Sequence, residues 1–202
     1  MSVFDRSGQI WLIRHGETEW SVSGAHTSRT DIPLTENGKK QAGAIGAILA
    51  GKRFSLVLTS PKLRARETCR IAGFGDTATI EPDLQEWDYG VFEGRKTDDI
   101  QQDAPNWSIW STVISGGETL DEVGDRARRV IARAASAGGD AALFAHGHIL
   151  RVLAACWLGL SPGAGRLFAL NAGSISILGY EHSDRVIRLW NRRASDVKGD
   201  CD

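Results

Sequence analysis

The sequence predicts an α/β fold: a mostly parallel central sheet with helices packed on both faces. Three observations carry that prediction. Apolar runs at 10–13, 54–58 and 141–145 have strand length and almost no polarity, as strands covered on both faces do. Helical stretches with apolar stripes separate the runs, the alternation that builds parallel sheets. Polar, chemistry-bearing residues follow the runs, which suits the carboxyl edge where such sheets bind ligands. The 202 residues suggest one domain over 1–193, with a polar tail at 194–202 expected to fray.

The first run, 10–13, ends in Arg14-His15-Gly16. Thr35 then stands as the cap of a helix reaching about Ala50, with Ala42, Ile45, Ile48 and Leu49 as its stripe and Gly51 as its stop. Thr59, Ser60 and Pro61 follow the second run and read as a cap with proline at the first helical position. That helix continues through Leu63, Arg64 and Arg66 to about Ile71. Residues 79–81 suit a short strand and 84–94 a loop, with helical stretches expected at 97–103 and 106–111. Thr119 and Glu122 have capping-box spacing. The helix they open would bury Leu120, Val123, Ala127, Val130, Ile131 and Ala134. The run at 141–145 leads into His146 and a helix over 148–158. Residues 174–180 and 186–190 form a final strand pair turning at Ser183 and Asp184, an antiparallel edge that would also offer a homodimer its surface.

A net charge of −1 leaves no global basic field for nucleic acid. Cys69, Cys156 and Cys201 are odd in number and widely spaced. They make a poor disulfide framework and a poor zinc site, and fit a reducing cytoplasm. Residues 1–9 lack the apolar core of a secretory signal. The best candidate for a membrane span, 141–160, is interrupted by His146, His148 and Arg151, whereas crossing a bilayer takes roughly 20 apolar residues. The expectation is a cytoplasmic protein that binds neither nucleic acid nor membrane.

Two of the strand ends share an unusual feature, Arg14-His15-Gly16 and His146-Gly147-His148, and a third leads into Ser60-Pro61-Lys62-Leu63-Arg64. If these edges adjoin, two arginines and two histidines converge. Arginine offers phosphate oxygens a planar fork of donors. Neutral imidazole, with an unperturbed pKa of about 6.5, is a nucleophile at physiological pH. Glycine after each leading histidine lets backbone approach an anion closely. Phosphoryl transfer needs chiefly positioning and charge neutralisation, so a metal is not required where enough fixed cations surround the oxygens. The leaving oxygen needs a proton donor. Glu86, beside Trp87, is the candidate, and Asp88 and Glu93 compete with it on sequence alone.

Five motifs in order resemble the histidine phosphatase superfamily (phosphoglycerate mutase-like, branch 1). They are Leu12-Ile13-Arg14-His15-Gly16-Glu17-Thr18, Ser60-Pro61-Lys62-Leu63-Arg64-Ala65, the loop 86–94, Gly117-Glu118-Thr119 and Phe144-Ala145-His146-Gly147-His148. The resemblance implies a three-layer α/β/α sandwich and a histidine acid phosphatase-type phosphomonoesterase. It further implies that His15 becomes phosphohistidine, that Arg14, Arg64 and His146 bind the phosphoryl oxygens, and that Glu86 protonates the leaving group and then helps water attack. Neither a metal nor another cofactor is implied. Within the family, 18–24, 63–66 and 86–90 are most similar to sugar-phosphate phosphatases, fungal sedoheptulose-1,7-bisphosphatase included, and to bacterial broad-specificity acid phosphatases. The implied substrate is a small phosphorylated metabolite. Ser21, Thr27, Ser28, Trp87, Tyr89 and Gly147 are expected to join Arg14, Arg64 and His146 in holding it. True mutases of the family usually have asparagine in place of Ser21 and an inserted arginine pair. Residues 105–116 here hold Trp107 and Trp110 but no arginine, so a second cationic grip is missing and hydrolysis is favoured over mutase transfer. A phospho-ligand binding module with little turnover is a third reading, against which the full catalytic set weighs.

The remaining candidates read more plainly. His148 is expected to support a loop, and His26 and His182 to be exposed, with His26 near the pocket rim. Arg66, Arg126, Arg128 and Arg129 suit solvated faces or ion pairs, and Glu17 and Glu118 suit caps or loop bridges. Cys69 and Cys156 suit inert core positions.

Overall fold

The computed structural model describes residues 8–193, so the tail at 194–202, Cys201 included, lies outside the described residues. Its strands are β1 (Ile10–Arg14), β2 (Leu56–Thr59), β3 (Thr79–Ile80), β4 (Ala141–Ala145), β5 (Ser174–Glu181) and β6 (Asp184–Arg193). They form one sheet in the order β3-β2-β4-β1-β5-β6. The first four in that order run parallel. β5 returns antiparallel on β1, and β6 on β5.

Side chains alternate across a strand, and here both faces are apolar. Ile10, Leu12, Leu143 and Ala145 belong to the core shared with α5 (Leu120–Ala135) and α6 (Gly147–Trp157). Trp11, Ile13, Val57 and Phe144 belong to the core shared with α2 (Glu36–Leu49) and α3 (Leu63–Ile71), through Ile45, Leu49, Cys69 and Ala72. The result is the three-layer sandwich. Thr35 caps α2 through the Gly38 N–H, and Thr119 and Glu122 bond reciprocally at the start of α5.

Three local expectations change. Pro61 lies ahead of α3, whose N-cap is Lys62 in extended conformation. The Asp31 carboxylate, 32 residues away in sequence, accepts the Leu63 N–H at 2.7 Å and so fixes the helix start from outside. Residues 106–111 form turns, not a helix, because Trp107 and Ile109 are both buried and a two-residue period does not suit a helical face. A short helix not foreseen, α1 (Glu19–Ser23), opens on a capping box between Thr18 and Ser21. The helix α4 (Thr97–Asp103) forms as expected.

For function, the decisive feature is that β2, β4 and β1 are neighbours. Their carboxyl ends therefore share one edge.

Candidate active site

That edge gathers the expected residues. The His15 N–H bonds the Ala145 carbonyl at 3.0 Å and the Ser60 N–H bonds the Phe144 carbonyl at 2.9 Å, which knits the three strand ends together. The rings of His15 and His146 meet edge-on with centroids 5.2 Å apart. Arg64 donates through Nε to His146 Nδ1 at 3.1 Å, and His146 Nε2 lies 2.7 Å from Ser60 Oγ. The remaining Arg64 donors reach the carbonyls of Thr30 at 3.1 Å and Thr27 at 3.0 Å. Arg14 donates to the Leu170 carbonyl, while its buried Nε has no partner among the described residues. The two glycines serve packing. A Cβ on Gly147 would come within 3.3 Å of the Arg14 guanidinium carbon, and one on Gly16 within 2.4 Å of the Gly38 carbonyl oxygen. Gly16 therefore lets α2 approach the His15 strand end, a packing demand separate from anion binding.

The tautomer of His15 follows from one contact. Its Nδ1 lies 2.7 Å from the Gly16 carbonyl, which can only accept, so Nδ1 holds the proton of the neutral ring and Nε2 keeps its lone pair. Burial, then the nearby Arg64 and Arg14 guanidiniums, push the His15 proton affinity well below the ordinary histidine value. His146 shifts the same way through burial and then Arg64, and His148 through burial and then Arg151. The sign of the consequence follows by linkage. Between the folded and unfolded pKa values the unfolded chain binds more protons, so the stability from these groups is present above pH about 6.5 and is lost as pH falls below it. The slope approaches about 1.4 kcal/mol per pH unit for each histidine. Melts at pH 7.5 and 5.5 should therefore show a lower Tm at pH 5.5, in a range where ordinary carboxylates barely titrate; equal values would contradict the neutral, buried state of these rings.

A cavity of about 160 Å³ opens at this edge, lined by Arg14, His15, Glu86 and Gly147 among others. Ser21, Thr27 and Tyr89 of the expected rim lie on it too. Glu86 is buried, and its carboxylate accepts the N–H groups of Trp87 at 2.9 Å, His148 at 3.0 Å and Ile149 at 2.9 Å, the last two at the start of α6. The competing carboxylates are engaged elsewhere. Asp88 pairs with Arg29 and accepts the Gly90 N–H, and Glu93 accepts the N–H groups of Ser28 and Thr30. The loop carrying Glu86 is tethered to α5. Glu118 takes both the Nε and Nη2 of Arg126, at 2.7 and 2.8 Å, and accepts the Asp88 N–H. Arg126 also donates to the carbonyls of Asp83 and Gln85. Glu17 similarly ties Thr35 and Asn37 to the His15 loop.

Two expected substrate contacts are corrected. Trp87 is only 1% exposed, and its indole N–H donates to the Glu118 carbonyl, which makes it core. Ser28 is buried, with its N–H spent on Glu93 and its hydroxyl turned to the Glu86 carbonyl. Arg64 and His146 stand behind His15 and do not line the cavity. The cavity is also lined by Trp20 and His26, at the rim where His26 is expected, and by His148 and Arg151, for which no place in the site is expected. His26 is half-buried against Tyr89 and Trp107, and His148 Nδ1 meets the Tyr89 hydroxyl at 2.7 Å. The available signal was spacing: His148 and Arg151 stand three apart, on one helical face. Cys69 is buried core, and burial pushes its thiol up to about 12.

The sequence profile of the histidine phosphatase superfamily (branch 1) matches residues 10–193. The chain belongs to this superfamily. An acid phosphatase of Mycobacterium tuberculosis is 35% identical over 188 residues, covering 91% of this chain and 92% of the relative. The sedoheptulose 1,7-bisphosphatase of Saccharomyces cerevisiae is 35% identical over 182 residues, covering 74% and 67%. A Photorhabdus laumondii relative named a probable phosphoglycerate mutase, GpmB, is 31% identical over 194 residues, covering 90% and 89%. The solved structure of an open-reading-frame product of Mycobacterium tuberculosis superposes with a TM-score of 0.89 at 34% identity, covering 94% of this chain and 100% of that one. The superfamily carries phosphatase-named members on the same layered α/β fold. No helix among the described residues of this superfamily member is long and apolar enough to cross a membrane.

Proposed function

We propose that this protein is a metal-independent phosphomonoesterase that hydrolyses small phosphorylated metabolites, sugar phosphates among them, through a phosphohistidine on His15. One observation carries the reading: Nδ1 of His15 is tied to the Gly16 carbonyl, so Nε2 retains its lone pair on a cavity shared with Arg14 and Glu86. Nε2 attacks phosphorus, and the ester P–O bond breaks as Glu86 gives its proton to the leaving oxygen. Glu86 then accepts a proton from the water that cleaves the P–N bond, releasing inorganic phosphate and neutral His15. Arg14, with an unspent Nε, donates to the phosphoryl oxygens. Arg64 and His146 complete the cradle behind His15 and offset the anion's charge. A cavity of about 160 Å³ suits compact esters. Buried, unpaired Cys69 and Cys156 fit the reducing cytoplasm in which we place the enzyme.

A panel of phosphorylated metabolites assayed with EDTA tests this. Phosphate release from sugar phosphates, undiminished by the chelator, is expected; no release across the panel, or its loss in EDTA, contradicts the proposal. The resemblance to GpmB supports mutase transfer as a second reading. A coupled assay for interconversion of 3- and 2-phosphoglycerate stimulated by 2,3-bisphosphoglycerate should be negative, since no cation comes from 105–116.

A further inference from the structure

We propose that Gln41 is a positioning residue for the nucleophile: by fixing the peptide between Gly16 and Glu17, it keeps the Gly16 carbonyl on His15 Nδ1 and so leaves Nε2 as the nitrogen that attacks. The inference rests on the phosphatase reading and deepens it.

The tautomer of His15 depends on one carbonyl, and that carbonyl belongs to a glycine. Packing requires the glycine, since a Cβ at Gly16 would meet the Gly38 carbonyl oxygen at 2.4 Å. Without a Cβ, its backbone torsions are broadly free. A turn of the 16–17 peptide would carry the carbonyl off Nδ1, and the neutral ring would then be free to hold its proton on Nε2 instead.

Side chains from two helices oppose that turn. The Glu17 N–H, in the same peptide as the Gly16 carbonyl, donates to Gln41 Oε1 at 2.8 Å. A trans peptide is planar, with its N–H and C=O pointing in opposite directions, so holding one end aims the other. Here one end lies on Gln41 and the other 2.7 Å from His15 Nδ1. The preceding peptide is held as well. The Gly16 N–H donates to Thr68 Oγ1 at 3.0 Å, and that hydroxyl donates to the Arg64 carbonyl at 2.7 Å. Thr35 reaches only the next peptide, through the Glu17 carbonyl at 3.0 Å.

The setting of Gln41 supports the role. On α2 it stands three residues after Gly38 and four before Ile45, so it shares their buried face although it is polar. Its amide fits against Gly173, where a Cβ would come within 2.7 Å of Oε1. The Gly173 N–H in turn donates to the His15 carbonyl at 2.8 Å. Gln41 thus lies between the two segments that close on the His15 backbone.

The test follows wild type, Gln41→Met, which keeps the length and loses the amide oxygen, and Gln41→Glu, which keeps an oxygen. Nitrogen-15 spectra of histidine-labelled protein at pH 7.5 read the tautomer, with His15→Ala identifying the resonances. Wild type should be protonated at Nδ1. In Gln41→Met a share of the ring should be protonated at Nε2. Single-turnover formation of phosphohistidine should slow roughly 3- to 10-fold, the worth of about one hydrogen bond, with substrate Kd changed less than about twofold. Gln41→Glu should recover most of both losses. Where Gln41→Met does not melt cooperatively, Gln41→Ala at this half-buried position takes its place. A wild-type ring protonated at Nε2, or a ring that stays on Nδ1 in the variant, overturns the proposal whatever happens to rate or Tm, because a merely structural glutamine would move only those. A shifted ring with unslowed phosphorylation overturns it too. Should wild type form no phosphohistidine, the phosphatase reading fails by itself, and the spectra alone decide whether Gln41 sets the ring.

Discussion

Replacing His15 with alanine should reduce kcat/KM by at least about 10⁴-fold, the scale seen when a covalent nucleophile is removed, while leaving substrate binding largely intact. The imidazole is only 5% exposed and is kept neutral by burial and by the Arg64 and Arg14 guanidiniums, so a large share of the protein is at any moment in the attacking form. No other cavity-lining group offers the same chemistry. His148 is bonded to the Tyr89 hydroxyl, and His26 meets the Thr97 hydroxyl at 3.2 Å. The arginines remain in the variant, so phosphate esters should still bind. The direct measurement is covalent trapping. Wild type quenched during turnover of a labelled ester should hold acid-labile, alkali-stable phosphate, and His15→Ala should hold none. A variant that melts cooperatively yet still hydrolyses esters at a comparable rate would remove His15 from the mechanism.

The parts of this molecule that the sequence made legible are those set by local chemistry. A strand covered on both faces has to be apolar throughout, and the runs that become β1, β2 and β4 are. Thr35 and the Thr119–Glu122 pair announce helix starts because their side chains satisfy nearby N–H groups. The convergence of Arg14, His15, Arg64 and His146 follows once β4 is inserted between β2 and β1, which alternating elements suggest but do not by themselves order. What stayed hidden depends on partners remote in the chain. The start of α3 is set by Asp31, and the burial of Trp87 by Glu118 and Trp110. Glu86 ranks over Asp88 and Glu93 because the latter two are spent on the 28–30 loop and on Gly90, contacts that adjacent sequence does not announce. An aromatic beside a candidate acid looks the same in sequence whether it faces substrate or core.

Glu86→Gln separates proton donation from mere positioning. A general acid contributes about 10²- to 10⁴-fold, but only where the departing oxygen needs the proton. Alkyl phosphates, which leave as strongly basic alkoxides, should lose that full factor in the variant. p-Nitrophenyl phosphate, which leaves as a weakly basic phenolate, should lose little in the step that breaks the ester bond. The fold should survive at a measurable cost. Oε1 accepts the N–H groups of Trp87 and Ile149, and Oε2 accepts that of His148. A glutamine oxygen can keep one side of this arrangement, while its NH₂ confronts a donor on the other. One such mismatch costs about 1–3 kcal/mol, and in a domain of this size each kcal/mol lowers Tm by roughly 2–4 °C. A drop of several degrees with a retained cooperative melt is therefore expected. Asp88→Asn serves as the control: its partners are Arg29 and the Gly90 N–H, so no leaving-group dependence should appear. Equal losses on alkyl and nitrophenyl esters in Glu86→Gln would assign the carboxylate to capping α6 and holding its loop, and the acid would have to be sought elsewhere. Among the cavity-lining residues Glu86 is the carboxylate, so the contrast between the two esters bears directly on whether a single side chain can both cap a helix and transfer the proton.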